Sequence, residues 1–176
     1  KVDYGLIQIV YQIFLKAFFK MSVYLKSQKV IKDWIDYNDH MNVSYYLLIF
    51  DKYGADTLND LFQMGEHSAK TTKKSTMIVE SHITYNRELR LDDEVDLNCV
   101  YFNHDDKRLH YKIEMIHKEK KYLASTIEIL ALYVDLKERK VAGFEDEKIK
   151  LMDDFIQKNK SNFNEDDLKF LSKIRK

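Results

Sequence analysis

Between Val43 and about Met64 the chain carries Tyr46, Leu47, Phe50, Tyr53, Gly54, Thr57, Leu58 and Leu61 at three- and four-residue spacing. That spacing predicts one long helix closing near Gly65. Its apolar positions occupy more than one side, so it cannot rest on a surface and must be wrapped. The wrapping follows in the sequence. Beyond a lysine-rich loop (Lys70, Lys73, Lys74), strand-like segments run from Ser75 to Glu88, Glu94 to Asn103, Arg108 to His117 and Tyr122 to Leu136. In the first, Met77, Val79, Ile83 and Tyr85 alternate with Glu80, His82, Thr84 and Asn86, which predicts one buried face. The last is almost continuously hydrophobic, as a central strand requires, and Val141 to Phe144 is expected to extend the sheet. A further strand is expected within Ser22 to Trp34. The turns "HDDK" at 104–107 and "KEKK" at 118–121 are short enough for antiparallel pairing. The order of one strand, one long helix and four or five antiparallel strands defines an α+β domain whose sheet curls around a central helix.

A chain of 176 residues, 45% of them hydrophobic, has material for one such domain but not two. Lysine plus arginine equals aspartate plus glutamate at 29 each, with no long single-sign run, so nucleic acid is excluded as an expected partner. The lone Cys99 cannot form an internal disulfide; it is expected as a small buried residue, and a reducing cytoplasm is the expected location. The first twenty residues form an amphipathic pattern, with Gln8, Gln12, Lys16 and Lys20 on one stripe. They fit neither a membrane span nor a signal peptide. Residues 1–21 are therefore set apart, as a packing helix, the tail of a preceding fused domain or translated upstream sequence. Residues 22–144 form the expected domain, and 145–176 a C-terminal helical extension. In that extension Ile149, Met152, Phe155 and Ile156 make one helical stripe; Leu168, Leu171 and Ile174 make another, with Asn164 as its N-cap.

The chemistry concentrates in "WIDYNDHMNVSYYLLIF", Trp34 to Phe50, where Asp36, Asn38, Asp39, His40 and Asn42 precede the helix. Asp36 and His40 can carry protons near neutral pH. The helix start behind them offers unpaired backbone N–H groups around Val43 to Tyr46. Such donors suit a carbonyl oxygen that gains negative charge during acyl transfer. Asp36 could then act as general base or nucleophile, with His40 or Asn42 orienting water or the acyl oxygen. The same residues also suit a plain structural role, with Asn42 as N-cap and the others as turn formers. A metal site from Asp36, Asp39 and His40 is disfavoured, because five residues of irregular chain rarely converge three ligands. No metal or redox cofactor is expected. There is no G-x-S-x-G, which disfavours a serine hydrolase. His67, His82, His104, His110 and His117 are expected at surface or sheet-face positions, and Lys70, Lys73 and Lys74 on a solvated loop.

The stretch "DYNDHMNVSYYLLIFDKYGADTL" resembles the signature of the hotdog-fold thioesterases of the 4-hydroxybenzoyl-CoA thioesterase-like superfamily, roughly D-x-x-G-H-x-N before a tyrosine-rich helix. A second patch, "TYNRELRLDDEVDL" from Thr84 to Leu97, resembles that family's strand motif. The resemblance covers roughly Tyr24 to Phe144 and implies the hotdog fold. It makes Asp36 the catalytic carboxylate, His40 and Asn42 its polar neighbours, and the backbone N–H groups from Val43 the site for the thioester carbonyl. Arg87 is implied in dimer contact or coenzyme A binding. Aspartate stands at positions 39 and 92 where family patterns place glycine, and a carboxylate at Asp39 would act on Asp36. Within the superfamily the form D-Y-N-x-H-M-N is most similar to thioesterases associated with carnitine and betaine metabolism, including domains fused behind carnitine dehydrogenase. A trimethylammonium acyl group could meet Trp34, Tyr37, Tyr45 or Tyr46 through cation–π contacts.

The implied activity is hydrolysis of an acyl-CoA thioester to free acid and CoA, with coenzyme A entering only as part of the substrate. Two alternatives stay open. One is a hotdog hydratase or dehydratase, although the order Asp36, Asn38, His40 puts the histidine one residue too early for that pattern. The other is a non-catalytic acyl-CoA-binding module. The resemblance further implies a homodimer or dimer of dimers.

Overall fold

The computed structural model describes residues 22–174, so the expected amphipathic helix at the N-terminus lies outside the described residues. Six strands form one antiparallel sheet: β1 (Val23–Lys29), β2 (Lys74–Tyr85), β3 (Glu94–His104), β4 (Arg108–His117), β5 (Leu123–Asp135) and β6 (Lys140–Val141). Their spatial order is β1-β3-β4-β5-β2, with β6 paired to the end of β5. β1 and β2 are the two edges. The strand within Ser22 to Trp34 is shorter than its sequence suggests: it stops at Lys29, and Lys32–Trp34 coil into a 3-10 turn that buries Trp34.

The helical run begins as α1 (Val43–Ile49), widens to π geometry over Phe50–Ala55 and continues as α2 (Asp56–Leu61). Its inner side carries Ile49, Phe50, Ala55 and Leu58, which pack against Leu97, Ile113, Ile127 and Ile129 from the concave face of the sheet. Gly54 sits where a Cβ would lie 3.0 Å from Ile113 Cδ1, so the widened turn lets helix and sheet approach closely. The run ends at Gln63, whose φ of 55° is left-handed, rather than at Gly65. Gly65 instead opens α3 (Glu66–Thr72), a short helix where the sequence reads as a lysine-rich loop. There Lys70 pairs with Glu66, and Lys73, at φ 59°, turns the chain into β2.

β2 departs from simple alternation. A bulge between Ile78 and Glu80 shifts its register against β5, and Met77, Ile78 and Val79 all remain exposed. β5 is central and almost wholly buried, as expected.

One α-helix follows the sheet, α4 (Asp146–Asn159). The expected second helix does not form. Residues 160–174 run instead as a strap across the convex face of the sheet, with only short 3-10 turns. Asn164 caps no helix: its N–H donates to Val100 C=O and its side chain accepts from Asp166 N–H. The strap is held by Glu128 of β5, whose buried carboxylate accepts the N–H groups of Lys169 and Phe170, each at 2.8 Å. On its other side Glu128 accepts from His110 Nε2, also at 2.8 Å. His110 and His117 lie on β4, one of the two kinds of position expected for them, and both are buried. Cys99 is buried, and burial pushes its thiol up to about 12. Among the described residues no helix is long and apolar enough to cross a membrane.

Candidate active site

Beyond Trp34 the chain folds back on itself. Ile35 and Met41 form an isolated antiparallel bridge, and Asp36 N–H donates to His40 C=O at 3.0 Å. The reversal depends on Asp39, whose φ of 58° is the left-handed conformation for which the family pattern uses glycine. Asp92, at φ 68°, does the same in the turn before β3. Within the loop the Asp36 carboxylate accepts Asn38 N–H at 2.8 Å, and His40 Nδ1 lies 3.8 Å from the same oxygen. The Asp36 side chain is 14% exposed and that of His40 35%. The two groups that can move a proton are therefore adjacent, with the carboxylate the more sheltered.

The loop is tied down on both sides. Asn42 N–H donates to Trp34 C=O, and Met41 N–H donates to Leu89 C=O at 2.7 Å. Leu89 N–H in turn donates to the Tyr46 hydroxyl at 3.2 Å. Burial pushes the Tyr46 hydroxyl up to about 12 in spite of that donor, so it keeps its proton across the physiological range. Asn42 is the N-cap of α1, its side chain accepting Ser44 N–H at 3.0 Å and its carbonyl accepting Tyr45 N–H. That leaves the Val43 N–H without an acceptor among the described residues. Of the donors expected at this helix start, Asn42 thus takes up those of Ser44 and Tyr45.

Val43 opens on a cleft of about 330 Å³. Of the residues singled out by sequence, His40, Val43, Tyr46 and Arg87 line it. Asp36 is not on the wall but adjoins it through His40. Trp34 and Tyr45 are off the wall as well: they stack on each other at 5.6 Å, with Trp34 buried. Arg87 places its guanidinium 4.3 Å over the Tyr122 ring. Met41, Tyr85, Asn86 and Glu88 complete the wall and were not singled out, although the last three flank Arg87 in "TYNREL". Tyr85 meets Tyr46 edge to face, ring centroids 5.3 Å apart. Neighbouring strand residues normally face opposite ways; the ladder ends at Tyr85, and both Asn86 and Arg87 N–H groups donate to Ala124 C=O, which lets consecutive side chains share one wall.

An antiparallel sheet wrapped around a helix, with an Asp-His loop at that helix's start, is the architecture of the hotdog thioesterases. Residues 30–159 match the family model of the thioesterase-like superfamily, and the chain belongs to that family. Hydrolysis of acyl-CoA thioesters is thus its class of reaction. Among curated relatives it is 27% identical to betainyl-CoA thioesterase of Pseudomonas aeruginosa over 118 residues, covering 67% of this chain and 74% of that one. Among solved structures it is similar to a Staphylococcus aureus protein in complex with CoA, at TM-score 0.72 and 23% identity, covering 77% of this chain and 85% of that one. A 1,4-dihydroxy-2-naphthoyl-CoA thioesterase from Synechocystis aligns at TM-score 0.65 and 13% identity, covering 73% and 94%. At these identities the structural likeness establishes the hotdog fold.

Proposed function

We propose that this chain hydrolyses a short acyl-CoA thioester whose acyl group carries a trimethylammonium, as the name of its P. aeruginosa relative suggests. The observation that carries the site assignment is Val43, its N–H free and its residue on the cleft wall, within one loop of the Asp36 and His40 pair. In this reading the thioester carbonyl accepts the Val43 N–H, which stabilises the oxyanion as it forms. Asp36 is the general base: it takes a proton from water, the hydroxide attacks the carbonyl carbon, and the carbon–sulfur bond breaks. The departing CoA thiolate takes up the proton. His40, 3.8 Å from Asp36, holds the water on the cleft side. Asn42 serves by capping, which keeps Val43 as the exposed donor.

A second copy of the chain closes the site. The cleft is open in one protomer, Val43, Leu47 and Leu48 are exposed on α1, and Met77, Ile78 and Val79 are exposed on β2, an edge of the sheet. An apolar helix side together with an edge strand that carries exposed apolar residues fits a twofold pairing of β2 with its own copy. The test is free-thiol release from a panel of acyl-CoA thioesters, with crotonyl-CoA hydration measured in parallel. Thiol release led by betainyl-CoA is the expected outcome. Hydration without thiol release would overturn the reading.

A further inference from the structure

A second cavity, of about 580 Å³, lies between the widened part of the central helix, α3 and the first half of β2. Asp51, Asp56, Glu66, Asn59 and Thr76 line it, and no lysine or arginine does. Glu66 is neutralised by Lys70, but Asp51 and Asp56 have no ion-pair partner among the described residues. Burial, with Asp51 next in effect, raises the Asp56 carboxyl above its ordinary range. A cation placed between these carboxylates would relieve that repulsion.

An independent feature marks the cavity as a binding place. Tyr111 projects from β4 into it and is only 3% exposed, yet its hydroxyl has no hydrogen-bond partner among the described residues. The ring is thus enclosed by protein while its one polar atom, a donor and acceptor, is left to whatever the cavity holds. Between the oxygens the wall is apolar, with Ala55, Met64 and Ile78. Oxygens alternating with apolar surface, all beneath a net negative charge, suit a bulky cation without N–H donors.

We propose that this cavity receives the quaternary ammonium end of the acyl group, delivered from the cleft of the partner protomer; this rests on the thioesterase function and twofold pairing proposed above. Within one protomer the two hollows are too distant to share a short acyl group, since Thr76 and Tyr85 stand roughly 25–30 Å apart along β2. Antiparallel pairing of two β2 edges removes that distance. It sets the Ser75–Ile78 half of one strand beside the Tyr85 end of the other, so each acidic cavity faces the partner's Val43 cleft. The cleft then supplies the reaction and the partner's cavity supplies the choice of acyl group.

The test compares kcat/KM for betainyl-CoA with that for 3,3-dimethylbutyryl-CoA, its neutral isostere, in wild type and in the double variant Asp51→Asn/Asp56→Asn. Neither Asp51 nor Asp56 belongs to the hydrophobic core, so the variant keeps its core. The expected result is a preference for the cationic thioester that falls on the order of ten-fold or more in the variant. An unchanged ratio overturns the proposal. Tetramethylammonium alone is titrated against both proteins and followed by NMR. Binding to wild type that the variant loses supports the cavity assignment, and absence of binding to wild type overturns it. If neither thioester is hydrolysed, the proposed function fails, and the tetramethylammonium titration still decides the cavity separately.

Discussion

Asp36 and Asn42 sit at opposite ends of one loop and divide its work. Asp36 holds a carboxylate 14% exposed beside His40, while Asn42 takes up the Ser44 and Tyr45 N–H groups and leaves that of Val43, a residue of the cleft wall, without an acceptor among the described residues. Asp36→Asn keeps size and the acceptor for Asn38 N–H but cannot take a proton. Its kcat for thioester hydrolysis is expected to fall about 10²–10⁴-fold with little change in melting temperature, as measured by thiol release and thermal denaturation. Asp39 has a backbone role instead. A side chain with no local hydrogen-bonding power is costly at φ 58°, so Asp39→Ala is expected to destabilise by about 1–2 kcal/mol. Asp39→Gly, free of that strain, should unfold at a urea midpoint near wild type. At this scale the sequence was most readable, because spacing alone ties Asp36, His40 and Asn42 to the helix start. It could not show that Trp34 and Tyr45 spend their faces on each other, since stacking depends on the 3-10 turn that brings Trp34 back over α1.

Elements with a single buried stripe were legible, whereas those set by distant partners were not. β4 and α4 fall where periodicity put them because each has one apolar face and one neighbour to cover it. The segment 160–174 has helical spacing at Leu168, Leu171 and Ile174 yet forms a strap, because its backbone N–H groups find a better acceptor in Glu128 than in their own carbonyls. Nothing local to the tail announces a carboxylate forty residues earlier. Removing that charge should free the strap: Glu128→Gln is expected to destabilise by about 2–3 kcal/mol, seen as a lower melting temperature. The pH dependence has a definite sign. Burial raises the Glu128 carboxyl, but the Lys169 N–H, His110 and the Phe170 N–H outweigh it and hold the group below its ordinary range. Its stabilisation is therefore complete above about pH 5 and is lost as pH falls through the lower folded value. Burial likewise lowers His110, so the unfolded chain takes up a proton below about pH 6.5 that the folded chain refuses, and stability again drops with acid. His82, Lys112, Glu114, Asp166, Asp167 and Lys169 share the Glu128 surroundings and set the background charge. Proteolysis of the tail, followed from pH 7 to pH 4, should accelerate with falling pH, and the Glu128→Gln variant should already be susceptible at pH 7.

For the whole molecule, the protomer is a sheet covered on both faces, with β1 and β2 as its two edges. The concave face holds the helix and the convex face part of its own tail, and of the two edges β2 is the one with a run of exposed apolar residues. An edge strand with Met77, Ile78 and Val79 exposed would template uncontrolled association if it stayed free, and the proposed pairing with one identical strand would close it. A strap over the convex face also stands in the way of stacking two sheets back to back, which favours a dimer over a dimer of dimers. The expected particle has twice the 21.1 kDa chain mass by light scattering. Val79→Asp tests this, because Val79 is 51% exposed on the protomer and lines neither hollow. Placed at the centre of an antiparallel β2 pair, two aspartates would face each other across the twofold axis, and like charges directly opposite destabilise a strand pair. The variant is expected to run as a monomer with an intact fold by circular dichroism and to lose thioesterase activity, which mixing at high protein concentration partly restores. A variant that is monomeric and fully active would show that one cleft of about 330 Å³ suffices, and the partner would then have no part in the reaction.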